Sequence, residues 1–495
     1  MNTVDALGDS IMSLRTSFPY FFPEVALALG LIVIIVAGLI TRDKLALSVV
    51  AAFVFGTALT LTVLDWSAYA TSTLLFNNML KSDQFSGYLK LIFDASGILT
   101  VCMSLRDVKQ QKRTAEYYAL LVAVVLGAHL LVMSINFIMV FISIELISLS
   151  SYVLAGFAFS RRGAEGSFKY FLFGSVASAI MLYGFTILYG LTGELSFVAP
   201  RFAEEVVGNK SSLLFFSALM ALAGFLYKIG AAPLHPWAPD VYEAAPIPVI
   251  AFFSVVPKLA GIGVLTKFSI ALSSMAHPLY DWQNTLALIA ILSLIVGNFS
   301  ALWQRDPKRL MAYSSIAQSG FLLVGISAFS AQGLHFLLFY ATIYAAANFL
   351  VFVYLQYFDS RGFASLESFS GIGKTALVPS IFILIGLIAL TGLPPTAGFT
   401  AKFFVFSSLW ESYQLTGKTT LLWLLIFGLL NTVVSLFYYI RIPYYAFVKH
   451  GSGSAEANFL RFENLFGLLL VVVILFLFFN PGLLMGWINK INFVP

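Results

Sequence analysis

The sequence predicts an all-α protein that crosses a membrane many times. Its 495 residues are 60% hydrophobic and only 10% charged, whereas soluble domains carry about 25% charged residues. The mean hydropathy is +0.91. Apolar runs of about 20 residues, the length that crosses a bilayer as a helix, recur along the whole chain. The short alternating segments of a transmembrane β-barrel are not seen.

Fourteen apolar segments, separated by charged or Gly/Pro/Ser-rich breaks, are the candidate membrane spans. The twelfth is long and interrupted. In chain order they lie near residues 21–40, 45–64, 88–105, 115–133, 136–158, 167–192, 212–231, 247–270, 285–303, 310–328, 334–357, 376–410, 421–447 and 463–485.

Several classes of function are disfavoured by composition. Cys102 is the single cysteine, which excludes an intrachain disulfide and a cysteine-ligated iron–sulfur cluster in this chain. No nucleotide-binding glycine motif is present, and no His, Glu or Cys spacing resembles a metal site. The first twenty residues lack the pattern of a cleaved signal peptide. The net charge of +5 reflects where Lys and Arg flank the spans.

The distribution of Lys and Arg predicts the orientation in the membrane. Sixteen of the 28 lie in loops after odd-numbered spans, and eight, Lys90 among them, are assigned to the opposite side. Because cytoplasmic loops carry the excess of positive residues, both termini are predicted to lie on the non-cytoplasmic side.

Span counting also suggests an internal duplication. We predict an N-terminal three-helix region (1–114), a first five-helix repeat (115–272), a second, inverted repeat (273–450) and a C-terminal transmembrane helix (451–495). Because each block has an odd number of spans, a second copy of the block must have the opposite orientation in the membrane. The fourth span of each block is interrupted, at Pro233 and at the Pro394–Pro395 pair, and matching interrupted helices are typical of inverted-repeat transporters.

Charged residues inside apolar spans are the candidate functional residues. A charge at the bilayer centre costs between about 3 and more than 10 kcal/mol, so such residues face a protein interior or a water-filled cavity. The alternative is an inert ion pair or a side chain that reaches the membrane interface, which applies most to Lys169 because it lies close to Arg162. The intramembrane candidates are Glu145, Lys169, Lys228, Lys258 and Lys402.

The interruptions and the lysines point to one polar line across the membrane. Proline removes a backbone donor and opens the helix, and free backbone groups at membrane depth require protein interior or water. Lys228 precedes Pro233 near the carboxyl end of its half-helix, where the dipole favours a cation. His235 is a candidate relay between Lys228 and Lys258, whereas His129 and His335 are interpreted as structural.

Three motifs resemble those of the antiporter-like subunits of respiratory complex I, and the first resembles the N-type subunit in particular. They are "YKIGAAPLHPWAPDVYEAAPIPVIAFFSVVPKLAGIG", "RDPKRLMAYSSIAQSGFLLVG" and "LTGLPPTAGFTAKFFVF". The resemblance covers about residues 20–490. It implies a fourteen-helix fold with inverted five-helix repeats.

The resemblance also implies a function. It implies a proton-translocating subunit of a bacterial inner-membrane NADH:quinone oxidoreductase, a translocase, that holds no redox cofactor. FMN, iron–sulfur clusters and quinone are then expected in partner subunits, and the partners are other membrane-arm subunits. Glu145 is implied to pair with Lys228, His235 to lie on the route to Lys258, Lys402 to serve the outer half-channel, and Lys169 to match the lysine of helix six.

Two departures and two alternatives accompany the resemblance. Gln318 stands where many relatives have histidine, so a proton would pass it only through water. No long lateral helix follows the last span, which argues against the L-type subunit, and lysine at 402 argues against the M-type. The alternatives are a subunit of a multisubunit Na⁺/H⁺ antiporter and a non-pumping structural membrane subunit.

Overall fold

The computed structural model describes residues 12–107, 113–209, 211–273, 281–451 and 462–493. Helices account for most of these residues. A two-stranded hairpin, β1 (Thr73–Leu75) and β2 (Leu80–Ser82), pairs antiparallel with Leu75 opposite Leu80. The helices of the first half are α1 (Phe22–Ile40), α2 (Lys44–Leu64), α3 (Trp66–Tyr69), α4 (Gln84–Asp107), α5 (Thr114–Met133), α6 (Phe137–Ala155), α7 (Arg161–Thr192), α8 (Pro200–Gly208), α9 (Ser212–Ile229), α10 (Trp237–Ala244) and α11 (Ile247–Ala271).

The second half continues in the same manner. Short 3₁₀ turns lie at Phe18–Tyr20 and Glu367–Phe369. The helices are α12 (Trp282–Leu302), α13 (Pro307–Ser327), α14 (Ala331–Asp359), α15 (Ile372–Thr375), α16 (Leu377–Thr391), α17 (Ala397–Thr416), α18 (Thr419–Tyr439), α19 (Arg441–Phe447), α20 (Phe462–Phe479) and α21 (Pro481–Ile488).

The helical membrane class is confirmed. Among the described residues, twelve helices are long and apolar enough to cross a membrane, and the pair α20–α21, bent by 84°, makes thirteen if it counts as one span. The interrupted twelfth segment forms α16 and α17, of which α16 is a shorter apolar helix. The count of fourteen, the inverted repeats and the domain boundaries remain predictions.

Polar side chains begin many of the helices. Each accepts a hydrogen bond from a backbone N–H of the first turn, a group that has no partner within the helix. The capping residues of this kind are Asp43, Asn136, Ser160, Ser211, Asp281, Asp306 and Ser330. These polar positions between apolar runs explain why the sequence divides where it does.

Three helices form the centre of the molecule. The apolar window of α11 is 100% buried, that of α13 94% and that of α14 89%, whereas the windows of α1 and α18 are each 28% buried. A helix that is apolar all round and buried all round belongs to the core of a membrane bundle. The polar residues in the middle of α11, α13 and α14 are therefore enclosed by protein.

One assignment in the charge count is wrong. Lys90 was placed on the outer side, but it lies within α4 and is 0% exposed. Its amine sits 2.8 Å from Glu24 Oε1, so a buried carboxylate, not an interface, compensates its charge. Lys109, Lys112, Lys210 and Arg461 also enter the count but lie outside the described residues.

Candidate polar line through the membrane

Both interruptions have the same local construction. Helix α9 ends at Ile229 and α16 ends at Thr391, and each is followed by a glycine with positive φ, Gly230 at 66° and Gly392 at 85°. Glycine adopts this left-handed conformation without the steric cost that other residues incur. The chain then passes Pro233 in one case and Pro394–Pro395 in the other before α10 and α17 begin.

Lys228 lies in the last turn of α9 and is 2% exposed. Its amine donates to Ser148 Oγ of α6 at 2.8 Å. The position at a helix carboxyl end, where the backbone carbonyls are negative, favours a cation. Lys228 thus connects the first interruption to α6.

Lys258 lies in the middle of α11, directly after Pro257, and is 3% exposed. Its amine donates to Ser319 Oγ at 2.6 Å and to the Ser315 carbonyl, both on α13. Ser319 Oγ in turn lies 2.6 Å from the Ile229 carbonyl and donates to it. Lys258 is therefore linked through one serine to the residue beside Lys228.

Lys402 occupies the second interruption. It lies near the start of α17, is 5% exposed, and donates from Nζ to the Thr391 carbonyl at the end of α16, at 2.8 Å. Its amine also sits 3.8 Å from the ring centroid of Phe321 on α13, a cation–π distance. A buried lysine thus lies at the carboxyl end of each interrupted helix: Lys228 in the last turn of α9, and Lys402, from α17, at the end of α16.

Gln318 fills the gap between Lys258 and Lys402. Its amide nitrogen donates to the Leu390 carbonyl at 3.0 Å, and its amide oxygen accepts from the Tyr340 hydroxyl. Gln318 and Tyr340 line a cavity of about 10 Å³ with Leu390, which is room for about one water molecule. A water molecule beside Gln318, through which a proton is expected to pass this residue, would therefore fit in this cavity.

Helix α13 contacts two of the three lysines of the line. Ser315 and Ser319 contact Lys258, Gln318 lines the cavity, and Phe321 contacts Lys402. Gln318 and Ser319 lie three and four residues after Ser315 and therefore share a helix face with it. The described contacts link Ser148 to Lys228 and Lys258 to Ser319, and on α13 Gln318 precedes Phe321, which contacts Lys402.

The predicted direct pair between Glu145 and Lys228 is not present, and Glu145 is not buried. Glu145 is partly exposed, and Ser178 Oγ donates to its Oε1 at 2.5 Å. Within the described ranges no ion pair of 4.0 Å or less joins Glu145 to Lys228; Ser148, one turn after Glu145, is the residue that contacts Lys228. The Glu145 side chain is instead held by Ser178 of the neighbouring helix α7.

His235 does not contact the lysines between which it was placed. It lies in the segment between α9 and α10, is partly exposed, and its Nδ1 has no hydrogen-bond partner among the described residues. Gly230 ends α9 with a left-handed turn, so His235 lies outside the helix that carries Lys228. Its role as a relay remains a prediction.

Lys169 belongs to a separate charged network at one end of the bundle. Its amine lies 2.9 Å from both Glu165 and Asp240 Oδ2, and its side chain is 39% exposed. Arg309 of α13 contacts Asp240 at 3.2 Å and Glu243 at 2.6 Å. This network ties α7, α10 and α13 together, and its partial exposure sets it apart from the buried lysines.

Several polar residues of the line were missed in the sequence. They are Ser148, Ser315, Ser319, Tyr340 and Tyr439. Hydroxyl groups carry no charge, so they do not stand out in an apolar span as lysine does. The spacing of Ser315, Gln318 and Ser319 in "SSIAQS" is the one signal that indicates a polar helix face.

The donor groups of the line can be compared with those that bind a metal ion. In the part of the chain that the structure describes, no group of three or more His, Cys, Asp or Glu side chains could hold a metal ion. The line is built from amines, hydroxyls, an amide and backbone carbonyls. Among these groups the amines bind and release protons, and the hydroxyls can both donate and accept hydrogen bonds beside them.

The fold and the line define a class of protein: a polytopic helical membrane protein with titratable groups across its interior, as in proton-conducting subunits. The family model described as NADH:quinone oxidoreductase/Mrp antiporter, TM, matches residues 134–430. The chain belongs to this family.

Individual relatives agree with that assignment. The chain is 35% identical to NADH-quinone oxidoreductase subunit N of Chlorobium chlorochromatii over 95% of its own length and 94% of the relative's. It superposes on a chain of respiratory complex I from Thermus thermophilus with a TM-score of 0.79 and 26% identity, covering 95% of this chain and 100% of that one. A chain of the Mrp complex from Dietzia superposes with a TM-score of 0.79, covering 96% of this chain and 97% of that one. At 17% identity this likeness shows the fold alone.

Proposed function

We propose that this chain is a proton-translocating membrane-arm subunit of an NADH:quinone oxidoreductase, a translocase in which quinone reduction drives transport through the buried lysines. Its family and its relatives named as subunit N support the assignment. The observation that carries the proposal is that α13 contacts Lys258 through Ser315 and Lys402 through Phe321. Gln318 and its small cavity lie between these two positions in the sequence of α13. The redox chemistry and its FMN, iron–sulfur clusters and quinone belong to partner subunits.

The chemistry of the line is the binding and release of protons by amines. Each lysine can hold a proton at Nζ and pass it to a neighbouring hydroxyl or water, because serine and water both donate and accept. Ser319 links Lys258 to the end of α9. Water in the cavity beside Gln318 is the step toward Lys402, since the amide itself does not titrate.

The face around Glu145 is the proposed contact with a neighbouring membrane-arm subunit. Glu145 is partly exposed beside Ile142, 50% exposed, and Leu149, 55% exposed. A carboxylate that faced hydrocarbon would be costly, so a partner subunit must cover this side. Such a partner can bring a charge toward Glu145 and, through Ser148, alter how Lys228 holds its proton.

The proposed location is a bacterial inner membrane with both termini on the non-cytoplasmic side. The multi-pass architecture supports a membrane location, and the loop distribution of Lys and Arg supports the orientation.

The assembly itself distinguishes the proposal from its alternatives. We expect the chain, purified from its native membrane, to copurify with iron–sulfur and quinone-reducing subunits. We also expect vesicles that contain this complex to be acidified when an electron donor is added. Copurification with cation-antiporter subunits only, without redox activity, would establish the Na⁺/H⁺ antiporter alternative. An active complex whose pumping is unchanged by every substitution along the line would establish the structural alternative.

Glu145 and Lys228 are predicted to be energetically coupled although they do not touch. In a double-mutant cycle with Glu145→Gln and Lys228→Met, we expect a coupling energy of about 0.5–3 kcal/mol in the rate of coupled quinone reduction, because Ser148 connects the two positions. Both single variants should be impaired, and the double variant should lose less than their sum. Glu116→Gln, at an exposed glutamate on α5, is the matched control. Strict additivity would contradict the coupling.

A further inference from the structure

Four ionisable side chains lie together outside the line, between the N-terminal helices and α5. Lys90 Nζ of α4 is 2.8 Å from Glu24 Oε1 of α1. His129 of α5 places Nδ1 3.0 Å from the same Glu24 oxygen and Nε2 3.2 Å from Asp94 Oδ1 of α4. All four side chains are 0% exposed. We call them the N-terminal cluster.

The charges of the cluster balance only if it holds one proton beyond that of Lys90. Glu24 and Asp94 contribute two negative charges when ionised, and Lys90 contributes one positive charge. A net charge buried in a membrane protein is strongly penalised. A proton on His129, or shared between His129 and a carboxylate, makes the cluster neutral, and its loss leaves one uncompensated negative charge.

The placement of the His129 ring also favours an additional proton in the cluster. Both ring nitrogens face carboxylate oxygens. A neutral imidazole donates from only one nitrogen, so its other nitrogen would direct a lone pair at an ionised carboxylate. The imidazolium donates from both. A protonated carboxyl group on Asp94 or Glu24 is the only other arrangement in which both contacts are attractive.

Unpaired polar atoms extend from the cluster toward the end of α2. The contact between His129 Nε2 and Asp94 Oδ1 lacks hydrogen-bond angles, and Glu24 Oε2 and Asp94 Oδ2 have no hydrogen-bond partner among the described residues. The same holds for Asp65 Oδ2 and the Tyr69 hydroxyl. Lys90 Nζ lies 5.1 Å from the Tyr69 ring centroid, and Asp65 is partly exposed.

Other titratable residues on the surrounding helices have different partners. Glu145 of α6 accepts from Ser178. On α11, Lys258 contacts α13, and Lys267 lies 3.0 Å from Asp83. Tyr117 and Tyr118 of α5 hydrogen bond to Ser104 and Ser48. The groups that face the cluster are therefore Asp65 and Tyr69, from the segment that follows α2.

We propose that the N-terminal cluster is a second proton-binding site, which takes up and releases one proton at His129 and Asp94 and exchanges it past Tyr69 and Asp65. No covalent bond changes: the bound state is neutral, and the unbound state carries one negative charge. The site lies apart from Lys228, Lys258 and Lys402 and does not depend on the proposed function. It gives the N-terminal helices a chemical role in addition to packing.

The test is a spectroscopic titration that needs no turnover. Membranes that contain the assembled complex with ring-labelled histidine are compared by infrared difference spectroscopy across a range of pH. We expect one component of the histidine protonation signal, about one proton per complex, to be absent in His129→Gln and retained in Lys402→Ala. The other histidines of the complex contribute equally to every spectrum, and the histidine signal of this test is this one component. A spectrum unchanged by His129→Gln overturns the proposal. If the proposed function proved wrong, the histidine signal would still be expected, so the two proposals are tested separately.

A second pair of variants covers the case in which His129→Gln does not assemble. Asp94→Glu keeps the carboxylate but moves it, so the midpoint of the histidine signal should shift while the signal persists. His129→Gln combined with Asp94→Asn restores neutrality without the exchangeable proton, so the assembled double variant should give no signal. An unshifted midpoint in Asp94→Glu, or a signal that survives in the double variant, overturns the proposal.

Discussion

Replacement of Lys258 by methionine is expected to reduce coupled proton pumping at least about tenfold, a loss of about 1.4 kcal/mol or more in transition-state stabilisation. Lys258 is the central amine of the line and lies in the most buried helix of the molecule. Methionine has similar length and fills the site, but it cannot carry a proton between Ser319 and the cavity beside Gln318. Since transport and redox chemistry are coupled, quinone reduction should fall together with pumping.

The Lys258 measurement is donor-driven quinone reduction and acidification of vesicles that contain assembled complex. Lys449→Met, at an exposed lysine, is the control for loss of a lysine as such. The contacts with Ser315 and Ser319 are both lost, so the amount of chain in the complex is measured in parallel. Wild-type pumping by a fully assembled Lys258→Met complex would show that the amine only braces α11 against α13.

Substitution of Lys402 separates charge from proton transfer. Lys402→Ala removes the amine that donates to the Thr391 carbonyl, and Lys402→Arg keeps a positive charge. Because the arginine side chain does not lose its proton in proteins, we expect both variants to lower pumping and quinone reduction by about tenfold. A line that needs only a cation at the end of α16 would instead function with arginine.

The Lys402 comparison has a matched control and a clear contrary result. Lys374→Ala removes an exposed lysine and should pump at the wild-type rate. Lys402 Cδ would lie 2.7 Å from a side chain added at Gly392, so the site is tightly packed and assembly of each variant must be verified. If Lys402→Arg pumps normally while Lys402→Ala does not, Lys402 is a fixed charge and not a proton carrier.

The membrane class and the positions of the lysines could be predicted because both are local signals. A run of apolar residues identifies a span by its length, and Lys228, Lys258 or Lys402 stands out against it. The interruptions were equally visible in Pro233 and Pro394. The contact partners were not predictable, because they depend on rotation of helices about their axes, which hydropathy does not encode.

Two errors illustrate that limit. The resemblance implied that Glu145 pairs with Lys228, yet Ser148, on the next turn of α6, makes the contact. Lys90 was counted on the outer side because it lies near the start of a span, yet Glu24 from a distant helix compensates its charge. Long-range pairs of this kind are found only when the helices are assembled.

The small volume beside Gln318 has a consequence for ion selectivity. A sodium ion crosses a protein only where several oxygen ligands replace its hydration shell, whereas a proton crosses by hopping between neighbouring oxygens. A space of about 10 Å³, lined by Gln318, Tyr340, Tyr344 and apolar residues, is close to the smallest volume that holds one water molecule and is too small for a partly hydrated sodium ion. We therefore expect the path between Lys258 and Lys402 to conduct protons and to reject sodium at this one point, whatever the ionic composition on either side of the membrane.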